Sequence, residues 1–154
     1  MNAVGIIGES GAEIAQAFMQ MSSGEASCCH ITANPQVSPK INVLVASDAS
    51  PVVSAVAPQL TGDDFLVVNA DDKGIFPLLG NSSAKLITYG FNSRACITAS
   101  SVTNDGVQVC IQRGFIGADG VAREPQEFPA RAGTCENSMA VLGAAAAWSV
   151  LKHA

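Results

Sequence analysis

Apolar positions along the chain fall into short continuous runs, separated by polar stretches that carry glycine or proline. Ala3 to Ile7 is one such run, Gly8-Glu9-Ser10-Gly11 follows as a turn, and Ala12 to Met21 sets Ile14, Ala15, Phe18 and Met19 on one helical face. The opening is therefore a strand, a loop and a helix. Ser22 to Lys40 is polar, contains Pro35 and Pro39, and reads as a connection with a weak strand around Cys29 to Thr32. Ile41 to Ala46 is a continuous apolar strand. Ser50 or Asp48 then caps a helix from Pro51 to about Leu60, which Pro58 shortens. Phe65 to Val68 is wholly apolar, Gly74 to Leu79 predicts a short helix, and Lys85 to Tyr89 is a further strand. Unbroken apolar strands imply burial on both faces, the condition of a parallel sheet.

The pattern changes after Gly90. Ala95 to Val102 and Val107 to Gln112 are strands joined by Thr103-Asn104-Asp105-Gly106, whose Asp-Gly pair signals a hairpin. Ile116 to Arg131 mixes glycine, proline and charge, with a final strand at Glu127 to Ala130. Met139 to Leu151 closes as an alanine-rich helix capped near Asn137 or Ser138. The prediction is one three-layer α/β domain over residues 1–154. Its mainly parallel sheet contains strands at 3–7, 41–46, 65–69 and 85–89, followed by an antiparallel hairpin region and a C-terminal helix.

The 154 residues, 48% of them apolar, suffice for one sizeable core. Only 14% are charged and the formal net charge is −5, so no basic stripe exists for nucleic acid or an anionic membrane surface. Sparse surface charge points instead to self-association, a homo-oligomer. The longest apolar run, Met139 to Leu151, is too short to span a bilayer, and no positive segment follows Met1; a cytoplasmic location is the expectation. Five cysteines without C-x-x-C spacing predict neither a disulfide framework nor a zinc site. Cys28, Cys29 and His30 are metal-ligand types in a row, but neighbouring strand side chains point to opposite faces. Cys135, just before the last helix, is the cysteine best placed to become a thiolate.

Several stretches, in order, resemble the central domain of the Mur ligase family. Val68-Asn69-Ala70-Asp71-Asp72 is similar to that family's Asn-Ala-Asp-Asp strand end, and Ala84 to Ala95 to its Thr-Tyr-Gly strand with the turn after it. Ile97 to Ser100 resembles its first hairpin strand, and Gly133 to Ala147 its terminal helix. The resemblance covers Phe65 to Leu151. It implies an α/β fold that binds ATP and Mg2+ at the carboxyl ends of its strands and joins an acid to an amino acid or peptide, in cell-envelope or polymer synthesis. In the same frame Val4 to Gly11 forms a P-loop-like βα unit. A working loop needs Lys for the β and γ phosphates and then Ser or Thr for magnesium, whereas this chain has Ala12 and Glu13. Val43 to Asp48 resembles the strand before the family's catalytic stretch, but no histidine follows. Asn137 matches the first asparagine of the terminal helix and Ala140 replaces the second. The resemblance thus implies a degenerate, truncated relative without an intact phosphate loop or the flanking domains.

The functional expectation is a non-catalytic domain that acts by binding or self-association and needs no cofactor. The alternative is a component of an ATP-dependent, amide-forming ligase completed by a partner ligase chain, with ATP and Mg2+. Candidate nucleotide- or anion-binding residues are Gly8, Glu9, Ser10, Gly11, Asn69, Asp71, Asp72, Arg94 and Asn137; no catalytic residue or metal ligand is assigned. A dinucleotide loop fits poorly, because Ser10 and Glu13 stand where its second and third glycines belong.

Overall fold

The structure, a computed structural model, describes residues 3–31, 41–131 and 137–152. In chain order its elements are β1 (Ala3–Ile7), α1 (Gly11–Ser22), β2 (Ser27–His30), β3 (Val43–Ala46), α2 (Pro51–Val56), β4 (Phe65–Asn69), α3 (Phe76–Leu79) and β5 (Lys85–Tyr89). There follow β6 (Ile97–Thr103), β7 (Gly106–Ile111), β8 (Phe115–Ile116), β9 (Ala122–Arg123), β10 (Gln126–Ala130) and α4 (Ser138–Leu151). One eight-stranded sheet runs β10-β7-β6-β5-β4-β3-β1-β2, and β8 with β9 forms a separate two-stranded ribbon. Strands β1 to β5 are mutually parallel, and β6 joins β5 in parallel through the single pair Tyr89 and Ile97. β7 and β10 complete the sheet antiparallel.

Alternation along the strands builds two cores. Val4, Ile6, Val43, Val45, Phe65, Val67, Ile87 and Tyr89 face α1 and α4. Leu44, Ala46, Leu66 and Val68 face α2 and α3. These are the three layers that continuous apolar runs require, since successive residues enter opposite cores. α4 is buried along most of its length, with α1 packed against it in the same layer and the Phe18 and Trp148 rings meeting edge to face at 5.9 Å. Alanines permit that close approach, and Gly143 gives the Tyr89 ring its place: a Cβ there would stand 3.0 Å from the phenol oxygen.

The other face is less completely covered. α2 and α3 are six and four residues long, and they pack over β3 and β4. On β5 the same face presents Leu86, 47% exposed, and half-buried Thr88. The sheet therefore steps from covered to open between β4 and β5.

Local chemistry sets the ends of the elements. Ser50 Oγ accepts the Val52 N–H at 3.3 Å and caps α2, Pro51 occupies its first turn, and Pro58 ends it in a 3-10 turn over Ala57–Gln59. Helix α2 thus stops at Val56, four residues before the expected Leu60. β3 starts at Val43 and not Ile41, because the Asn42 side chain is turned to accept the Ala3 N–H at 2.7 Å. The weak strand lies at Ser27–His30, a parallel edge beside β1. β6 starts at Ile97, two residues later than expected, with Cys96 N–H donated to Thr88 Oγ1 at 2.9 Å. The Asp-Gly hairpin forms, with Gly106 at φ 144°. The β8–β9 ribbon has no counterpart in the sequence reading, since two-residue strands carry no period. Pro35, Pro39, Cys135 and His153 lie outside the described residues.

Candidate functional site

The parallel strands all end at one edge of the sheet, where open α/β sheets hold ligands. The loop after β1 turns at Gly8, φ 127°, where a Cβ would collide with Ser47 Oγ, so the position admits only glycine without rearrangement. Ser47 Oγ donates to Ile7 O at 3.1 Å, and Gly11 N–H donates to Gly8 O at 3.0 Å. Asp48 Oδ2 accepts the Glu9 N–H at 2.8 Å, so a carboxylate of the chain itself takes an amide of the loop. His30, at the end of β2, reaches across: its Nε2 lies 3.0 Å from Gly8 O, in the geometry of a donor, and its ring packs so closely on Gly11 that a Cβ there would overlap it.

Carboxylates and amides tie each loop to the next. Asn69 Nδ2 donates to Ser47 O at 3.1 Å, and Asn69 Oδ1 accepts the Asp71 N–H at 3.0 Å. Asp72 Oδ2 accepts from Ala49 N at 2.9 Å and its Oδ1 from Gly74 N at 3.1 Å. Asp71 reaches the loop after β5, accepting from Phe91 N at 2.8 Å, Asn92 N at 3.1 Å and Asn92 Nδ2 at 2.6 Å. Burial acts to raise the Asp71 pKa, but these three donors outweigh it and hold the carboxyl below its ordinary value.

The nominated residues do not meet at one point. Gly8, Glu9 and Asp72 line a cleft of about 590 Å3 beside His30 and Asp48. Asp71 and Arg94 line a different cleft of about 940 Å3, together with Lys73, Phe76, Thr88 and Arg113. Asn69 holds the loops from behind. Ser10 is the first residue before α1, with no side-chain cap bond, and Gly11 begins the helix. Asn137 Oδ1 caps α4 by accepting the Ala140 N–H at 3.1 Å, and its Nδ2 donates to Glu13 Oε1 at 3.3 Å, joining the starts of α1 and α4. His30 and the cations Lys73 and Arg113 were not nominated from the sequence. Their placement depends on which strand neighbours which, and no local pattern encodes that.

Among the described residues no three His, Cys, Asp or Glu side chains come together in a way that could hold a metal ion. Burial pushes the Cys28 thiol up to about 11, with Cys29 adding to the shift, and burial also raises Cys29 and Cys96, the last against the influence of Arg113. All three stay protonated near neutrality, which is unfavourable for a nucleophile. The Tyr89 hydroxyl is fully buried without a hydrogen-bond partner among the described residues; burial first, then the charges of Asp48 and Asp71, keep it neutral.

No helix among the described residues is long and apolar enough to cross a membrane. No protein-family model matches the sequence, and no curated protein matches it. Solved structures do. The UDP-N-acetylmuramoylalanyl-D-glutamyl-2,6-diaminopimelate–D-alanyl-D-alanyl ligase of Acinetobacter baumannii superposes with a TM-score of 0.63 at 9% identity, over 97% of this chain and 43% of that one. A second form of MurF from the same organism gives 0.65 at 9% identity, over 97% of this chain and 42% of its own. MurF ligase from Thermotoga maritima, in complex with ADP, gives 0.56 at 9% identity, over 97% and 44%. The chain thus spans less than half the length of these ligases, and over that span it has a Mur ligase-like α/β fold.

Proposed function

We propose that this chain is a Mur ligase-like domain that acts by binding, without ATP-dependent chemistry of its own. The observation that carries the reading is the state of the loop Gly8–Gly11. Its Glu9 amide is held by the Asp48 carboxylate at 2.8 Å, and His30 is seated on Gly8 and Gly11. A nucleotide phosphate entering there meets a like charge at Asp48 and another at Glu13, and Ala12 offers no cation. The residues present do not fit a Mg2+-nucleotide. The helix N-terminus alone attracts an anion by only about 0.3–1 kcal/mol when exposed. Self-association is one form of binding this reading includes, and exposed Phe91 and Ile116 supply apolar surface for it.

The test is titration calorimetry of the full chain with ATP and Mg2+, alongside a variant carrying Ala12→Lys and Glu13→Thr. The native chain is expected to give no saturable heat at high micromolar concentration. Saturable binding by the native chain sinks the reading.

A second reading, the component of an ATP-dependent amide ligase, draws on two observations. The cleft of about 590 Å3 at the ends of β1 and β3 retains Asp48 and Asp72, and the Thermotoga maritima relative is a complex with ADP. It requires a partner ligase chain to bring the missing cations, so ATP and Mg2+ binding that appears only on mixing with such a partner distinguishes it.

A further inference from the structure

We infer that the cleft between the β4–α3 and β5–β6 loops is an anion site for a doubly charged oxyanion, a phosphate monoester or a dicarboxylate, carried on an apolar ring. The cleft exists because α3 stops short of β5. Phe76, the first residue of α3 and 38% exposed, stands at the step, and Thr88 forms part of the floor. At about 940 Å3 it lies near the upper end of the range for small-molecule pockets. Among the described residues it shares no lining with the cleft beside Gly8.

The charge here opposes that of the whole chain. The protein has 8 Lys and Arg against 13 Asp and Glu, yet Lys73, Arg94 and Arg113 come from three separate segments to line one cleft with a single carboxylate. That carboxylate is Asp71, whose oxygens are already engaged by Phe91 and Asn92. None of the three cations forms an ion pair with a carboxylate among the described residues. Three cations against one carboxylate suit a dianion better than a monoanion. Guanidinium forks match the oxygens of phosphate and carboxylate alike, and Phe76 offers an aromatic face to the group that carries them.

The site is also held in shape. Arg94 N–H is donated to Asn92 Oδ1 at 2.9 Å, and Arg94 O accepts from the Arg113 guanidinium. Gln112 Nε2 bridges Ser93 O at 3.2 Å and Ala95 O at 2.6 Å, fixing the β5–β6 loop on either side of Arg94. Arg113 donates to Arg94 O and also meets the Cys96 thiol, and its remaining donors face the cleft it lines. Binding therefore requires little ordering of the loop, which favours affinity.

The experiment is a titration of the full chain followed by amide chemical shifts, with phenyl phosphate and phthalate as probes and inorganic phosphate as reference. Saturable shifts centred on Asp71 to Phe76 and Asn92 to Arg94 at millimolar concentration, tighter than for inorganic phosphate, are expected. A preference for phenyl phosphate assigns a phosphate ester, and a preference for phthalate assigns a dicarboxylate. Arg94→Gln with Arg113→Gln should weaken binding about tenfold or more, as loss of a charge-assisted hydrogen bond does. Lys73→Gln, which removes a side chain with no hydrogen bond among the described residues, should weaken it in the same direction. The inference is overturned if neither ring-bearing anion saturates, if inorganic phosphate binds as tightly, if the shifts centre on Gly8 to Gly11, or if Lys73→Gln binds unchanged. Each of these outcomes is separable from the ATP titration, which reads the other cleft.

Discussion

Asp71 shows how one residue type can be read two ways until its partners are known. In the sequence it belongs to a strand-end motif that nominates it for ligand binding. In the fold its two oxygens accept three N–H bonds from Phe91 and Asn92 and so bind the loop after β5 to the loop after β4. A folded carboxyl held below its ordinary value stabilises the native state fully at neutral pH. That contribution is lost as pH falls through the ordinary carboxylate range, about 4, toward the lower folded value. Asp71→Asn should therefore cost about 1 kcal/mol at pH 7, the low end for charge-assisted bonds because the group is exposed. The difference from the native chain should shrink below about pH 4. Urea titrations of both proteins across pH check this, and a gap independent of pH would show that the carboxylate charge is not involved.

At the scale of elements, the connection between the β8–β9 ribbon and α4 rests on Arg123. This arginine is 2% exposed, yet each nitrogen of its guanidinium is engaged: Nε donates to Ser149 O at 2.6 Å, Nη1 to Val121 O at 2.7 Å and to Asp119 at 2.9 Å, and Nη2 to Val150 O at 3.3 Å. A cation at the carbonyl end of a helix is also the favourable end of its dipole. Removing the side chain leaves the Ser149 carbonyl without its arginine donor and empties buried volume. Arg123→Ala should cost about 3 kcal/mol by chemical denaturation, and Arg123→Lys should recover little, because an ammonium cannot span the same acceptors. Loss of less than about 1 kcal/mol would mean that water replaces these bonds readily. The pattern of the sequence could not disclose this ribbon. In β8 the exposed residue is the apolar Ile116, at 56%, and in β9 the buried one is the charged Arg123, at 2%, so the ribbon inverts the usual inside-outside pattern over strands of only two residues.

For the whole molecule, the parallel and antiparallel halves meet through the Tyr89–Ile97 pair, and α4 lies across strands from both. The two halves share one core, containing Val45 and Val67 from one and Val109 and Ile111 from the other. A single unfolding transition follows. The only tryptophan, Trp148, sits in α4 beside Phe18 of α1, so its fluorescence reports the helical layer while far-ultraviolet dichroism reports the sheet. Coincident midpoints are the expected result, and separated ones would show that the hairpin region melts on its own.

The sequence by itself determined the order and type of nearly every long element, the three-layer α/β class, and the presence of Ala12 and Glu13 where a working phosphate loop has lysine and a hydroxyl. Each of these is local: a run of apolar residues, an Asp-Gly turn, a proline near a helix start, or the residue at one position. Tertiary structure alone decided that β2 is the outer parallel strand, which brings His30 onto Gly8. It also decided that Asp48 closes on the loop after β1, and that Asp71 and Asp72, neighbours in the chain, line different clefts. These contacts join residues 20 to 40 positions apart, so they depend on strand order and register, which local periodicity does not specify.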